Sequence, residues 1–243
     1  MRMRAFALRT AKEILRDKLT IFFGLGFPLL VLALLSIIQS NIPVSLFRIE
    51  RLAPGVAVFG LSFIALFSGL LIARDRCTAF LTRLLASPMT AFDYIAGYLL
   101  PLMPIAALQS AVCLLAAAIW GLTPSLNTLA CVGALLPAAA LYAGIGMMCG
   151  SVFNDRQVGS LCGALLTNLS AWLSGIWFDV SLLGGAFEAV ARVLPFMNAV
   201  EAARAAQAGN WAALPGPLLM VCAWAAATLL GAVLLFKRST SRN

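Results

Sequence analysis

Polar and apolar positions alternate along this chain on the scale of whole segments. Six stretches, 19–38, 52–73, 94–120, 128–149, 157–178 and 214–236, are each at least 20 residues long and contain no Asp, Glu, Lys or Arg between their ends. An α-helix of about 20 apolar residues crosses the hydrocarbon core of a bilayer, and a span without ionisable side chains avoids the largest insertion penalty. The pattern predicts an all-α membrane protein with six transmembrane helices, folded as a single transmembrane domain over 1–243. The first run reads as an anchor and not as a cleaved signal peptide, because 18 residues rich in Arg and Lys precede it and it is long enough for a full span.

The segments between the runs carry patterns of their own. Within 3–18, Leu8, Ala11 and Leu15 recur at helical spacing, continued by Leu19, with Arg and Lys around the rest of the wheel. This is the signature of an N-terminal interfacial amphipathic helix whose cations anionic membrane lipid would attract; a plain basic topology signal is the alternative. Between Thr78 and Ser87, Leu81, Leu84 and Leu85 form an i, i+3, i+4 stripe with Thr82 and Arg83 off it, and Ser87-Pro88 ends the run. A short cytoplasmic helix is expected there, its apolar surface covered either by a protein partner or by the chain's own bundle and the lipid headgroups. From Asp179 to Ala213 the charges and Pro195 exclude a seventh span and leave two short helices, 186–194 and 199–208, with Glu188, Arg192, Glu201 and Arg204 on polar faces. They form an extracellular helical cap between helices 5 and 6, either partly re-entrant or lying at the interface.

Composition agrees, and charge adds direction. The chain is 62% hydrophobic and 11% charged, against about 45–50% and about 25% in soluble domains. An even number of spans puts both termini on one side, and the excess of Lys and Arg selects the cytoplasmic one. Thirteen of the 17 basic residues share that side, the other four being Arg48, Arg51, Arg192 and Arg204. Once the acids are subtracted the whole net charge of +8 lies on that face, as expected of a multi-pass protein in a cell membrane, the bacterial plasma membrane. Trp120, Trp177 and Trp211 fall at outer ends of spans, where the indole ring is favoured. The cations are dispersed over short segments with no compact basic patch, so no nucleic-acid partner is expected.

What the chain lacks excludes most chemistry. It has no His, the usual base near neutral pH and the commonest metal ligand, so Ser-His-Asp hydrolysis, His-dependent intramembrane proteolysis and a His-based metal site lose their central residue. Its six Cys stand singly without a C-x-x-C pair and read as core fillers or chance surface thiols. Lys12, Lys18 and Lys237 follow Ala, Asp and Phe, so the chain has no P-loop lysine. No catalytic, cofactor-binding or metal-ligating residue is assigned. Spans without carboxylates argue against proton coupling. Thr167, Ser170 and Ser174 share one face of the fifth span, and they either line a pathway for an amphipathic solute or glue helices together. Gly146-x-x-x-Gly150 and Gly159-x-x-x-Gly163 mark close helix contacts, and Pro101 with Pro104 a bend in the third span.

Taken in order, the basic amphipathic N-terminus, six spans, the inner segment Arg74-Asp75-Arg76 through Leu84-Leu85-Ala86-Ser87-Pro88, and the outer Leu173-Ser174-Gly175-Ile176-Trp177-Phe178 followed by Leu194-Pro195-Phe196 and Ala202-Ala203-Arg204 resemble the ABC-2 type transporter permeases. The likeness runs nearly the whole length. In that family the first inner loop typically reads Arg-Glu-x-Gly-Thr-x-Glu with a following Ser-Pro and forms the coupling helix that docks on a separate ATP-binding subunit. Here Asp75 stands in the place of Glu, Thr78 keeps the Thr, Phe80 and Leu81 replace the second acid, and Asp179-Val180 stands where the family often has Pro. The resemblance implies the permease subunit of an ABC exporter, in which two permeases, identical or paralogous, join two ATPase subunits that alone bind ATP. Coupling contacts would come from Arg74, Asp75, Leu81, Arg83, Leu84, Leu85, Ser87 and Pro88. The pathway, at the permease dimer interface between the second and fifth spans, would involve Phe63, Phe67, Thr167, Asn168 and Ser174. An uncharged cavity leans toward a hydrophobic or amphipathic compound, such as a drug, a lipid-like molecule or a peptide. The competing reading is an ATP-independent channel or secondary transporter.

Overall fold

The computed structural model describes residues 2–43, 47–78, 90–178, 180–182 and 184–240, and among them there are helices and turns but no strand. The expected inner-loop helix lies outside the described residues, and with it Leu81, Arg83, Leu84, Leu85, Ser87 and Pro88. The helices are α1 (Arg2–Arg16), α2 (Phe22–Asn41), α3 (Ile49–Arg76), α4 (Ala91–Ala116), α5 (Leu126–Val152), α6 (155–173), α7 (Gly185–Val193), α8 (Pro195–Gln207) and α9 (Pro215–Thr240). Five of them, α2, α3, α4 with its extension to Trp120, α5 and α9, are long and apolar enough to cross a membrane. The helix of α4 continues through Pro101 and Pro104.

The remaining apolar run became a composite helix. After a first turn capped by Asn154 and Gln157, Gly159–Leu166 is π-helical, and α-helix resumes at Thr167 and ends at Leu173. Gly175 then takes a φ of +70°, a conformation glycine adopts at little cost, so α6 stops short of Phe178. Beyond it Ile176 is buried and Trp177 lies edge-on to Phe59 at 5.7 Å, while Phe178 is exposed.

α3 is the central helix, buried almost without interruption from Leu52 to Ala73. In lipid an apolar side chain gains little by leaving the hydrocarbon, so small residues that let backbones approach decide which helix sits in the middle. Gly60, Ser62, Ala65, Ser68 and Gly69 supply that surface on α3. The closest approach is to α5, where a methyl on Gly146 or Gly150 would overlap the carbonyls of Ala65 or Gly69, and where the Ser68 hydroxyl donates to the Ala143 carbonyl at 3.0 Å. Gly159 faces open space. Gly146→Ala should therefore destabilise the fold by about 1–3 kcal/mol, as overpacking does, whereas Gly159→Ala should be neutral. Thermal melts of the two variants in nanodiscs compare them, and equal melting temperatures would refute the crossing.

Beyond α6 the chain turns back into the bundle. α8 begins with Pro195, tolerated where the first N–H has no helical partner, and runs antiparallel to α5. Phe196 stacks on Tyr142 with ring centroids 6.0 Å apart, the Cys131 thiol donates to the Ala203 carbonyl at 3.3 Å, and the Gln207 amide donates to the Thr128 hydroxyl at 3.3 Å. Thr128 and Tyr142 are separated by about 20 Å of helical rise. α8 is inserted alongside α5 and does not lie across its end.

α1 docks through a face other than the one its apolar periodicity marks. Phe6, Thr10 and Ile14 are buried against the bundle, whereas Leu8 and Leu15 are 64% and 62% exposed. The leucine stripe thus points away from the protein, flanked by exposed Lys12 and Arg16, an arrangement suited to lipid.

Candidate functional site

α3 is sealed along most of its length but opens near the end that carries Arg74 and Arg76. Leu66 and Leu70 are partly exposed and Arg74 is exposed, one helical turn apart on a single stripe. α2 borders this stripe on one side, with Gly24 against the Phe67 ring, and α6 on the other, with Gly163 against Leu66. Both flanking helices are π-helical at this level, over Phe22–Gly26 and Gly159–Leu166, and π segments recur at functional positions. Between α1, the turn that follows it and α3, a cavity of about 40 Å³ is lined by Phe67, Leu70 and Leu71 together with Glu13, Asp17 and Arg74. Toward the opposite end of α3, aromatic rings close the crevice. Phe23 stacks on Phe63 at 5.6 Å, Phe27 meets Phe63 edge-on at 5.6 Å, and Phe59 joins Phe63 to Trp177.

The residues expected to line a pathway are divided by the structure. Phe63 lies in that aromatic wall and Phe67 lines the cavity, only 4% and 5% exposed. Thr167 is buried, donating to the Cys162 carbonyl at 3.0 Å and accepting from Ser62 at 3.5 Å. Ser174 is buried and donates to the Ala171 carbonyl, and Ser170 bonds the Tyr142 hydroxyl. This hydroxyl face thus ties α6 to α3 and α5. Asn168 is exposed, its amide turned back to the Ala164 carbonyl at 2.8 Å, and it shares the open face of α6 with Leu165, Leu169 and Trp172.

Of the expected coupling residues, Arg74 and Asp75 are described, and they differ. Arg74 is exposed, 3.8 Å from Asp17. Asp75 is 4% exposed and its carboxylate accepts from both terminal nitrogens of Arg9, at 2.9 and 3.0 Å, and from the Tyr98 hydroxyl at 2.8 Å. Arg9 also lies 3.0 Å from Glu13, and its pKa is raised above the ordinary value, chiefly by the hydrogen bond to Asp75. Arg76 donates to the Gly150 carbonyl at 2.9 Å, placing a cation at the C-terminal end of α5 where the helix dipole favours it. Periodicity identified neither Arg9 nor Tyr98 as partners, since they lie 66 and 23 residues from Asp75. The usable signal was the acid itself, because a carboxylate at the end of an apolar span needs a partner if it is buried.

At the other end of α3 Arg204 does comparable work. Its Nε donates to the Arg51 carbonyl and a terminal nitrogen to the Gly175 carbonyl, both at 3.1 Å, so α8 is tied to the start of α3 and the exit of α6. A family profile described as ABC-2 type transporter matches residues 1–208. The chain belongs to that family. As an ABC-2 permease it is a multi-pass membrane component of an ABC transporter, a class of domain that generally carries no ATPase site of its own. The matched region of the permease holds α1 to α8, hence the crevice, the Asp75 cluster and Arg204. No curated protein matches it.

Proposed function

We propose that this ABC-2 permease is the membrane subunit of an ATP-driven exporter, paired with a second permease copy and with separate ATP-binding subunits, moving a hydrophobic or amphipathic compound out of the cell by alternating access. In this reading α6 supplies a sixth crossing of a bacterial plasma membrane and both termini are cytoplasmic. Segment 78–88 is the coupling helix, through Leu81, Arg83, Leu84, Leu85, Ser87 and Pro88, with exposed Arg74 beside it. The crevice carries the reading. It sets Phe67, Leu70 and Leu71 beside Glu13, Asp17 and Arg74 and is bordered by the rings around Phe63, a mixed lining that favours an amphipathic guest. Asn168 lies on the face of α6 offered to the second copy, and Phe63 and Phe67 join the pathway when α2 draws away from α3. ATP binds the partner subunit.

Purification of the tagged chain from native membranes in mild detergent tests this. An ATP-binding subunit should accompany it in equal amount, and inside-out vesicles holding the pair should accumulate a lipophilic fluorescent dye only with ATP. A chain that purifies without such a subunit and passes dye or ions down a gradient is a channel or secondary transporter.

A further inference from the structure

We infer that Asp75 is a positioning residue of the coupling end, which fixes the exit into the inner loop against α1 through Arg9 and against α4 through Tyr98, and is not itself a contact for the ATP-binding subunit. The anchor stands on geometry alone, and its role in transport rests on the exporter reading.

Three observations converge on it. Both carboxylate oxygens of Asp75 are engaged, by the two-pronged guanidinium of Arg9 and by the Tyr98 hydroxyl, in a site 4% exposed. A buried carboxylate stripped of its partners is strongly destabilising, so it is not available to meet another subunit. The backbone of the same residue begins the loop, since its carbonyl accepts from the Thr78 N–H at 3.2 Å and the Thr78 hydroxyl at 2.9 Å. One residue therefore joins α1 and α4 through its side chain and turns α3 into segment 78–88 through its main chain. α1 is held at a second point on the same stretch of α4. The Phe6 ring fills the space over Gly97 where a methyl would overlap it, and lies edge-on to Tyr98 at 4.9 Å and to Tyr94 at 6.2 Å. A push on the inner loop must then carry α1 with it, and the outward Leu8 and Leu15 with their flanking cations ride through the interface as a lever.

Two measurements test the anchor. Hydrogen exchange on the permease alone in nanodiscs should show Asp75→Asn and Arg9→Gln raising the exchange of α1 and Thr78 amides by about tenfold, the scale of one lost charge-assisted hydrogen bond, with α5 and α9 unchanged. No change in α1, or acceleration spread over the whole bundle, overturns the anchor. In the complex with the ATP-binding subunit, both variants should keep the subunit ratio and the KM for ATP while ATP-dependent dye uptake falls by a similar factor. Arg9→Lys should recover part of it, keeping the charge but not the planar fork. A complex that dissociates on Asp75→Asn makes Asp75 a docking contact and overturns the inference. If the wild-type chain brings down no ATP-binding subunit, the exporter reading fails while the exchange result still decides the anchor.

Discussion

Leu84→Asp in the inner loop should abolish ATP-dependent dye uptake while leaving the permease inserted and folded. Leu84 sits in the middle of the Leu81, Leu84, Leu85 stripe, and a carboxylate there must be desolvated without a partner for the surface to dock. Burial of an unpaired neutral polar group costs about 1–3 kcal/mol even on mutational scales, equivalent to roughly 5- to 150-fold weaker association, and an ionised carboxylate costs more. The fold should tolerate it because both ends of the segment are fixed independently of its middle. At one end Thr78 bonds the Asp75 carbonyl. At the other, Thr90 and Asp93 form a capping box, with Asp93 accepting from the Thr90 N–H at 2.8 Å and Thr90 accepting from the Asp93 N–H at 3.2 Å. Thr82→Asp, off the stripe, should keep both copurification and uptake. Equal copurification and uptake in Leu84→Asp and wild type would sink the coupling role of the segment.

Apolar runs located the helices well, because a bilayer imposes one length and one composition on everything that crosses it. They did not show where α6 ends. Ile176 and Trp177 are as apolar as a span, yet they pack inward beyond Gly175, and both burial in lipid and burial in protein leave the same sequence mark. Apolar periodicity likewise left the protein-facing side of α1 unmarked. Leu8, Ala11 and Leu15 were the visible stripe, but Phe6, Thr10 and Ile14 form the packed face. A protein-facing surface in a membrane is recognised by small and hydrogen-bonding residues more than by apolarity. Seen that way, Thr167, Ser170 and Ser174 read as helix glue, Gly146 and Gly150 as a crossing point, and Asn168 as a polar residue of α6 left on an open face. The long-range pairs of Asp75 with Arg9 and of Arg204 with the Arg51 carbonyl leave no periodic trace. A single sequence shows only that each charge stands near the end of an apolar run and needs an explanation.

Arg204→Ala should open the outer end of the bundle. The guanidinium reaches two carbonyls on different elements, that of Arg51 in the first turn of α3 and that of Gly175 just past α6, and nothing in an alanine replaces either bond. Hydrogen bonds from a charged group contribute about 1.5–3 kcal/mol each when buried. The Arg51 contact is exposed and the Gly175 contact only partly buried, so screening lowers the combined effect to about 2 kcal/mol, a shift of roughly 30-fold in the closed-to-open ratio. Ile176 reports it, because its side chain is 5% exposed and packs over Gly55 beside the Arg204 guanidinium. With exposed Cys77 and Cys222 replaced by Ala, a cysteine in place of Ile176 should react with an impermeant maleimide added outside about that much faster in the Arg204→Ala background. Arg204→Lys should fall between, since a single ammonium cannot span both carbonyls in the fork geometry. Labelling at the same rate in all three backgrounds would mean that the outer end is held shut by packing of α8 alone, with Phe196 on Tyr142 and Ala203 on Cys131 carrying the closure and Arg204 merely decorating it.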